Sequence, residues 1–491
     1  MLPLAIIIIL IVAAVAIIVV KNNSFAKTMT LVAMGMGSAI SAITAFITIN
    51  GGTINWTVGT APWNISLSVG PLEAFMACLF TGIAFLVMWA SVTMIDHDVE
   101  NKKIPLYYFL ICLLIATLCG VVFFDNLFNA FVFIELSSFI ATCIVIIKNQ
   151  PENIRAGLKY LALSILGSAF VLMGIVVLYT IAGSLSIHAI NAELVRTFEA
   201  NRDSVLYALV FIVIGVAFKS ALFPLHIWLP DAHGTAPSPS SAILSSLVLK
   251  AYIVFFIKVL HIAVGHNLIS HDEKLSLLLS IILVFGVIAM LAGSVMAILQ
   301  ADIKRMIAYS SVAQIGYIFM GLGLGNELGL YAAIYHIFAH AVMKAALFLV
   351  AGSIIEQTHN RRLDNMDGLG IQMPLTMLFF TIGALSMVGI PLFIGFNSKW
   401  NFAMGIMDSG QFWVMAVLAV SSLLNALYYL PLVIRSFFGK EAREKEENRV
   451  SLERPLGSLL PIGILSCCSV FFAIFNDAVV SFIQVVIHNI W

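Results

Sequence analysis

FKSALFPLHIWLPDAHGTAPSPSS, residues 218–241, and MVGIPLFIGFNSKWNFA, residues 387–403, decide the fold between them. Each sets helix breakers inside an apolar run: Pro224 and Pro230 in the first, Gly389, Pro391 and Gly395 in the second. Proline removes a helix hydrogen bond and clashes with the preceding turn, so each run is expected as two half-helices around an unwound bridge. Lipid cannot satisfy exposed backbone, and such a bridge must be buried in protein or line water. Paired broken helices in corresponding positions point to a transport site built from inverted repeats. A lysine accompanies each break, Lys219 before the first and Lys399 after the second. Two unrelated proline kinks are the plainer alternative.

Working outward, the chain is 61% hydrophobic and 10% charged, and apolar runs of membrane-crossing length recur from end to end. Fourteen spans are expected, at 3–20, 28–48, 71–95, 105–123, 126–147, 156–183, 204–230, 240–263, 274–299, 304–325, 329–356, 373–407, 411–436 and 457–480. With the N-terminus outside, the external connections hold only Arg196, Arg202, Lys258 and Lys274, and nearly all other Lys and Arg fall on the cytoplasmic side. This bias satisfies the positive-inside rule and puts both termini outside. The breaks fall in spans 7 and 12, five apart, so spans 4–8 and 9–13 form two units; an odd number of spans per unit inverts one against the other. Residues 1–104 are then peripheral helices, 105–263 the first repeat, 264–436 the second, and 437–491 a cytoplasmic loop and last span. The expected class is an all-α integral membrane protein.

Net charge is zero with no basic patch, which excludes nucleic acid as a partner. Residues 1–20 lack a basic n-region and a small-residue cleavage site, and are read as a retained span. The six cysteines lie within spans and form no CxxC or Cys/His cluster, so no iron–sulfur centre is expected. Glycines in GLGLGNELG (321–329) miss the dinucleotide spacing and read as a tight turn. No cofactor or redox centre is expected.

Four lysines, Lys219, Lys250, Lys344 and Lys399, lie inside apolar spans, and Glu135 joins them in FNAFVFIELSSFIATCIVII (128–147). A charge at the bilayer centre costs roughly 2.5–3.5 kcal/mol on insertion scales, so such residues mark ion paths, relays or bound charge. Glu135 reads either as a neutral, hydrogen-bonded acid or as the carboxylate that holds a lysine charged, with Lys219 its natural partner. Lys250 is too deep to snorkel, and burial lets an amine take and give protons; Lys258, near its span end, is expected to snorkel. His336, His340 and Lys344 share one helix face at i, i+4 and i+8. Two histidines at that spacing suit a metal, but the nearest carboxylate is Glu356, and a proton-sharing ladder is favoured. His226 and His233 flank the first break beside Asp231 and either line water or cap loosened backbone; Asp125 precedes Glu135 in the fifth span. Lys399 is a terminal relay group, or a structural lysine donating to carbonyls freed by the second break. Lys21, Lys27, Lys304, Arg305 and the cluster EAREKEENR (441–449) read as cytoplasmic-face charges.

The chain resembles the antiporter-like membrane subunits shared by respiratory complex I, membrane-bound hydrogenases and Mrp-type Na⁺/H⁺ antiporters. The resemblance runs over nearly the whole length. It is carried in order by FFDNLFNAFVFIELSSF (123–139), KSALFPLHIWLPDAH (219–233), LQADIKRMIAYSSVAQIGY (299–317), HIFAHAVMKAALFLVAGSI (336–354) and GIPLFIGFNSKW (389–400). It implies a 14-helix fold with half-channels joined along a central polar axis. It also implies that Glu135–Lys219 is the charge pair, Lys250 and the eleventh-span histidines the relay, and Lys399 the outlet. Two departures stand out. Family members often carry a histidine early in the eighth span, where this chain has Ser245 and Ser246, and the chain stops at Trp491 without the long lateral helix of the most distal subunit. HIWLPDAHGTAPSP (226–239) is closer to the redox-complex branches than to the Mrp type.

The expected function is a proton-translocating subunit of a larger complex in an energy-converting membrane, with Na⁺ as the alternative ion. Its partners would include other membrane subunits, among them homologous antiporter-like ones. A self-sufficient permease would gather its polar groups around one pocket, whereas here they are strung over many helices. A non-conducting scaffold would have no need of the lysines.

Overall fold

The computed structural model describes residues 1–59, 64–438 and 451–491; the EAREKEENR cluster lies outside the described residues. Among them, thirteen helices are long and apolar enough to cross a membrane. They are α1 (Leu2–Val20), α2 (Asn23–Ile49), α3 (Pro71–Asp98), α4 (Ile104–Phe123), α5 (Leu127–Ile146), α6 (Pro151–Ala182), α7 (Ile187–Ser220), α9 (Ser238–His271), α10 (Glu273–Ile298), α11 (Ile303–Gly323), α12 (Glu327–Thr358), α15 (Trp413–Phe438) and α16 (Leu456–Ile474). The fourteenth crossing is the broken pair α13 (Pro374–Val388) and α14 (Ile394–Ser409). The protein is therefore an all-α membrane protein.

The helices sort into shells by composition. In α9, α11 and α12 the apolar window is 94%, 94% and 100% buried, against 39% in α1, α2 and α6. Lys250, His336, His340 and Lys344 all belong to these inner helices, where charge is kept from lipid. Small residues let neighbouring backbones touch, as bilayer packing favours. A Cβ on Gly286 of α10 would stand 2.4 Å from Met320 N of α11, and one on Gly316 of α11 would stand 2.6 Å from Gly286 O.

Both predicted breaks are present. α7 ends at Ser220, Ala221 takes left-handed φ (57°), and after a non-helical stretch a seven-residue helix, α8 (Leu229–Thr235), begins with Pro230 in its first turn. The second half is thus much shorter than an even division implies. Trp228 Nε1 donates to Phe218 O at 2.9 Å, closing one carbonyl freed at the break. At the second break α13 ends on Gly389 (φ 89°) and α14 starts at Ile394. Only glycine fits at 395, because a Cβ there would lie 1.8 Å from Ser386 O.

Several boundaries depart from the sequence reading. α7 starts at Ile187, capped by Ser186, so much of the expected loop before residue 204 is helix. The last span does not run to 480: it turns after Ile474, and a separate helix, α17 (Asp477–Ile490), follows, burying Val479, Ile483, Val486, Ile487 and Ile490 at helical spacing. The connection before α3 forms an antiparallel hairpin, β1 (Ile54–Val58) with β2 (Ile65–Val69), registered Ile54↔Val69. α9 contains two π-helical stretches, Leu244–Val248 and Lys258–Gly265, flanking Lys250. Hydropathy carries no signal for such local widening, which clusters at functional positions.

Candidate functional site

The site begins on α5. Glu135 Oε1 lies 3.0 Å from Lys219 Nζ, which also donates to Ser138 Oγ and Ser164 Oγ, each at 2.9 Å. An ammonium has three protons, and all three are used. The Lys219 side chain is 1% exposed, whereas that of Glu135 is 37% exposed, so one member is sealed and the other opens on the protein's outer surface. Tyr252 stands beside the pair, its ring 5.7 Å from Lys219 Nζ and its hydroxyl 2.9 Å from Ser137 Oγ and 3.1 Å from Ser138 Oγ.

Further in, Lys250 is fully buried and donates to the carbonyl of Ser245, a contact favoured by the π-helical turn at 244–248. Ser245 Oγ meets Ser311 Oγ at 3.0 Å, joining α9 to α11. The adjoining Ser310 Oγ is 2.9 Å from Tyr429 OH and also takes a hydrogen bond from Lys344, whose Nζ donates to Ile307 O at 2.9 Å.

One turn from Lys344, His340 is buried, and among the described residues neither of its ring nitrogens has a hydrogen-bond partner. Its ring stacks on His336 at 5.7 Å. His336 Nδ1 is 2.7 Å from Ser398 Oγ, next to Lys399. Lys399 Nζ donates to Met387 O (3.1 Å) and Val388 O (2.6 Å), and lies 5.6 Å from the Tyr317 ring. These are the carbonyls freed by the second break, so the structural contact considered for Lys399 exists, at the end of the polar line. The structure thus gives three groups of contacts: Glu135 with Lys219, Ser138 and Ser164; Lys250 and Lys344 with the backbone and serines of α9 and α11; and His340 stacked on His336, which meets Ser398 beside Lys399.

Four other candidates fall outside these groups. Asp125 sits at the α4–α5 junction, 3.8 Å from His188 Nε2. Asp231 pairs with Lys159 at 2.8 Å and Arg305 at 3.2 Å, pinning α6 and α11 to α8. His226 packs against Phe223 at 5.1 Å, and His233 lies between Trp228 and Phe348. Among the described residues, no group of three or more His, Cys, Asp or Glu could hold a metal ion. Glu356 pairs instead with Arg454 at 2.8 Å.

Two lysines overturn their sequence reading. Lys258 does not snorkel: its side chain is 4% exposed and its Nζ lies 3.0 Å from Glu73 Oε1, itself 8% exposed. Lys304 is not a face charge but is buried, donating to Ala236 O at 2.5 Å. Glu73 was legible as a carboxylate three residues into the third span. The paired serines of ELSSF and AYSSV were a further signal: each pair meets a tyrosine, Ser137/Ser138 with Tyr252 and Ser310 with Tyr429.

Residues 125–425 match the family described as NADH:quinone oxidoreductase/Mrp antiporter, transmembrane. The chain is 36% identical over 433 residues to NADH-quinone oxidoreductase subunit N of Desulforudis audaxviator, covering 86% of this chain and 84% of that one. It is 32% identical to an Na(+)/H(+) antiporter subunit of Alkalihalophilus pseudofirmus, covering 88% of this chain and 55% of that one. Among solved structures it superposes on a chain of the membrane-bound sulfane sulfur reductase, an archaeal respiratory membrane complex. The TM-score is 0.89 at 25% identity, with 99% of this chain and 97% of that one covered.

Proposed function

This chain belongs to the NADH:quinone oxidoreductase/Mrp antiporter transmembrane family, and from that premise we propose that it translocates protons as one subunit of a multisubunit membrane complex. The observation that carries the proposal is the set of buried basic groups, each held by polar contacts, which we read as a route from Glu135–Lys219 through Lys250, Lys344 and the stacked histidines to Lys399. Each basic group on it meets a hydroxyl, a carbonyl or another ring, the contacts along which protons move once water fills the remaining gaps.

Coupling follows from the asymmetry of the pair. Lys219 is sealed while Glu135 is open at the surface of α5, where an adjoining subunit would seat. A change in that neighbour which draws Glu135 away removes the charge favouring the ammonium, and the proton of Lys219 is released inward. Lys250 and the α12 histidines pass it on, and Lys399 delivers it. Asp125, His226, Asp231 and His233 are proposed to shape hydrated entrances to this route rather than to carry the proton along it.

The two repeats, 105–263 and 264–436, are supported by the matched serine–tyrosine contacts. Span 5 meets span 8 through Ser137, Ser138 and Tyr252, and span 10 meets span 13 through Ser310 and Tyr429. We place the chain in the cell membrane of a prokaryote with both termini external, on the Lys/Arg bias. A redox-driven complex is the leading setting, since the 36% identity is to a quinone oxidoreductase subunit. A Na⁺/H⁺ antiporter is the second reading, favoured by the 32% identity to an antiporter subunit. The test is ion pumping by the intact complex in proteoliposomes, wild type against Lys219→Ala. Lost pumping with intact assembly supports the route; unchanged pumping leaves a scaffold.

A further inference from the structure

The second buried ion pair, Glu73–Lys258, takes no part in the route above. Glu73, in the first turn of α3, accepts from Gly70 N with Oε2 (3.0 Å) and pairs with Lys258 Nζ through Oε1 (3.0 Å). Lys258 Nζ also donates to Val122 O (2.6 Å) and Phe124 O (3.3 Å) where α4 ends. The ammonium is thus held by one carboxylate and two carbonyls. Removing both charges from water is costly, and apolar side chains of similar volume would stabilise the fold as well or better, so stability alone does not account for such a pair.

What lies beyond Lys258 gives the pair a direction. Lys258 opens the second π-helical stretch of α9, which carries His261 and leads to His266 and His271. His261 is 7% exposed, and among the described residues neither of its ring nitrogens has a hydrogen-bond partner. Its ring lies 5.6 Å from that of Trp491, which stacks at 3.6 Å on His266. His266 is half-buried and His271 exposed, so the imidazoles step from interior to surface. Toward the interior, Lys250 precedes Lys258 by eight residues on the same helix, a rise of about 12 Å.

We propose that Glu73, Lys258 and His261 form a second proton port, connecting the buried route to the membrane face where α3 begins and α4 ends. This rests on the relay reading above and extends it: the first repeat would then have its own exit, separate from Lys399. A proton leaving the Lys258 ammonium for His261 passes to water past His266, and one arriving from Lys250 restores the charged pair. The net movement is one proton, and only N–H bonds of the side chains and O–H bonds of water form and break.

Lys258→Arg separates this role from a structural one. Arginine keeps the charge, the carboxylate partner and the carbonyl contacts, but does not release its proton. His261→Gln keeps a polar side chain without a titratable ring, and Glu73→Gln with Lys258→Met removes the pair without stranding a charge. Each variant, with Lys219→Ala as reference, is purified as the intact complex, checked for assembly, and assayed in proteoliposomes with a pH-sensitive dye. The port predicts that Lys258→Arg and His261→Gln each lower the initial pumping rate more than twofold, the Lys399 outlet carrying what remains. If Lys219→Ala abolishes pumping while both of those variants, or the double variant, stay within twofold of wild type, the port is overturned and the relay reading stands. If Lys219→Ala pumps normally, both fall. Should Lys258→Arg fail to assemble, His261→Gln and the double variant decide.

Discussion

Replacing Glu135 by glutamine keeps the shape of the side chain and an acceptor oxygen but removes its charge, leaving the Lys219 ammonium with neutral acceptors only, the amide oxygen and the hydroxyls of Ser138 and Ser164. At the observed 3.0 Å separation, two unit charges attract by about 5 kcal/mol at an effective dielectric of about 20. Glu135 is more than one-third exposed, and the environment on its open side screens the pair, so roughly 2–3 kcal/mol is the part Lys219 loses. Each 1.4 kcal/mol is about a tenfold change in an equilibrium, so the coupling between the two side chains should weaken by about 30- to 150-fold. Loading of Lys219 then limits turnover, and pumping by the reconstituted complex falls by at least tenfold while assembly is unchanged. The assay is the initial rate of acidification in proteoliposomes, normalised to assembled complex. Glu135→Asp, which keeps the charge on a shorter arm, should fall between. Wild-type pumping by Glu135→Gln would refute the reasoning outright, because it would mean that Lys219 does not depend on the carboxylate it touches.

Ser398→Ala removes the hydroxyl 2.7 Å from His336 Nδ1 and should slow pumping several-fold with normal thermal stability, measured by the same dye assay and a melting curve in detergent. Gly395→Ala forces a Cβ to within 1.8 Å of Ser386 O, so the two halves of the second broken helix must move apart; a destabilisation of about 2–4 kcal/mol, seen as a lower melting temperature or lost assembly, is expected. Asp231→Asn breaks partly exposed pairs with Lys159 and Arg305 and should cost no more than about 1 kcal/mol of stability, with pumping retained within twofold. A tenfold loss there would move Asp231 onto the proton path.

The two broken spans and the intramembrane charges were legible because both break strong rules of the bilayer: lipid tolerates neither loose backbone nor lone ammonium groups. Those rules led to Lys219, Lys250, Lys344, Lys399 and Glu135, and the structure joins Glu135 to Lys219 as the chemistry of a carboxylate beside an amine suggests. Lys258 was misread because position in a span fixes depth but not surroundings. An amine near a helix end normally reaches outward, and only the packing of α3 beside α9 supplies Glu73 as an inward partner. Lys304 failed for the same reason, its acceptor Ala236 lying far off in sequence. The π-helical turns of α9 leave hydropathy unchanged and had no signal at all. The hairpin before α3 is a local pairing that the search for apolar runs passed over.

The open side of Glu135 has a bearing on biogenesis. A newly inserted copy of this chain, alone in the bilayer, would present an acidic group to acyl chains across the face that Phe139 and Leu136 also expose. Such an orphan would be costly to keep in lipid until a neighbour covers that face. The same carboxylate that pairs with Lys219 would then also favour assembly over the lone subunit.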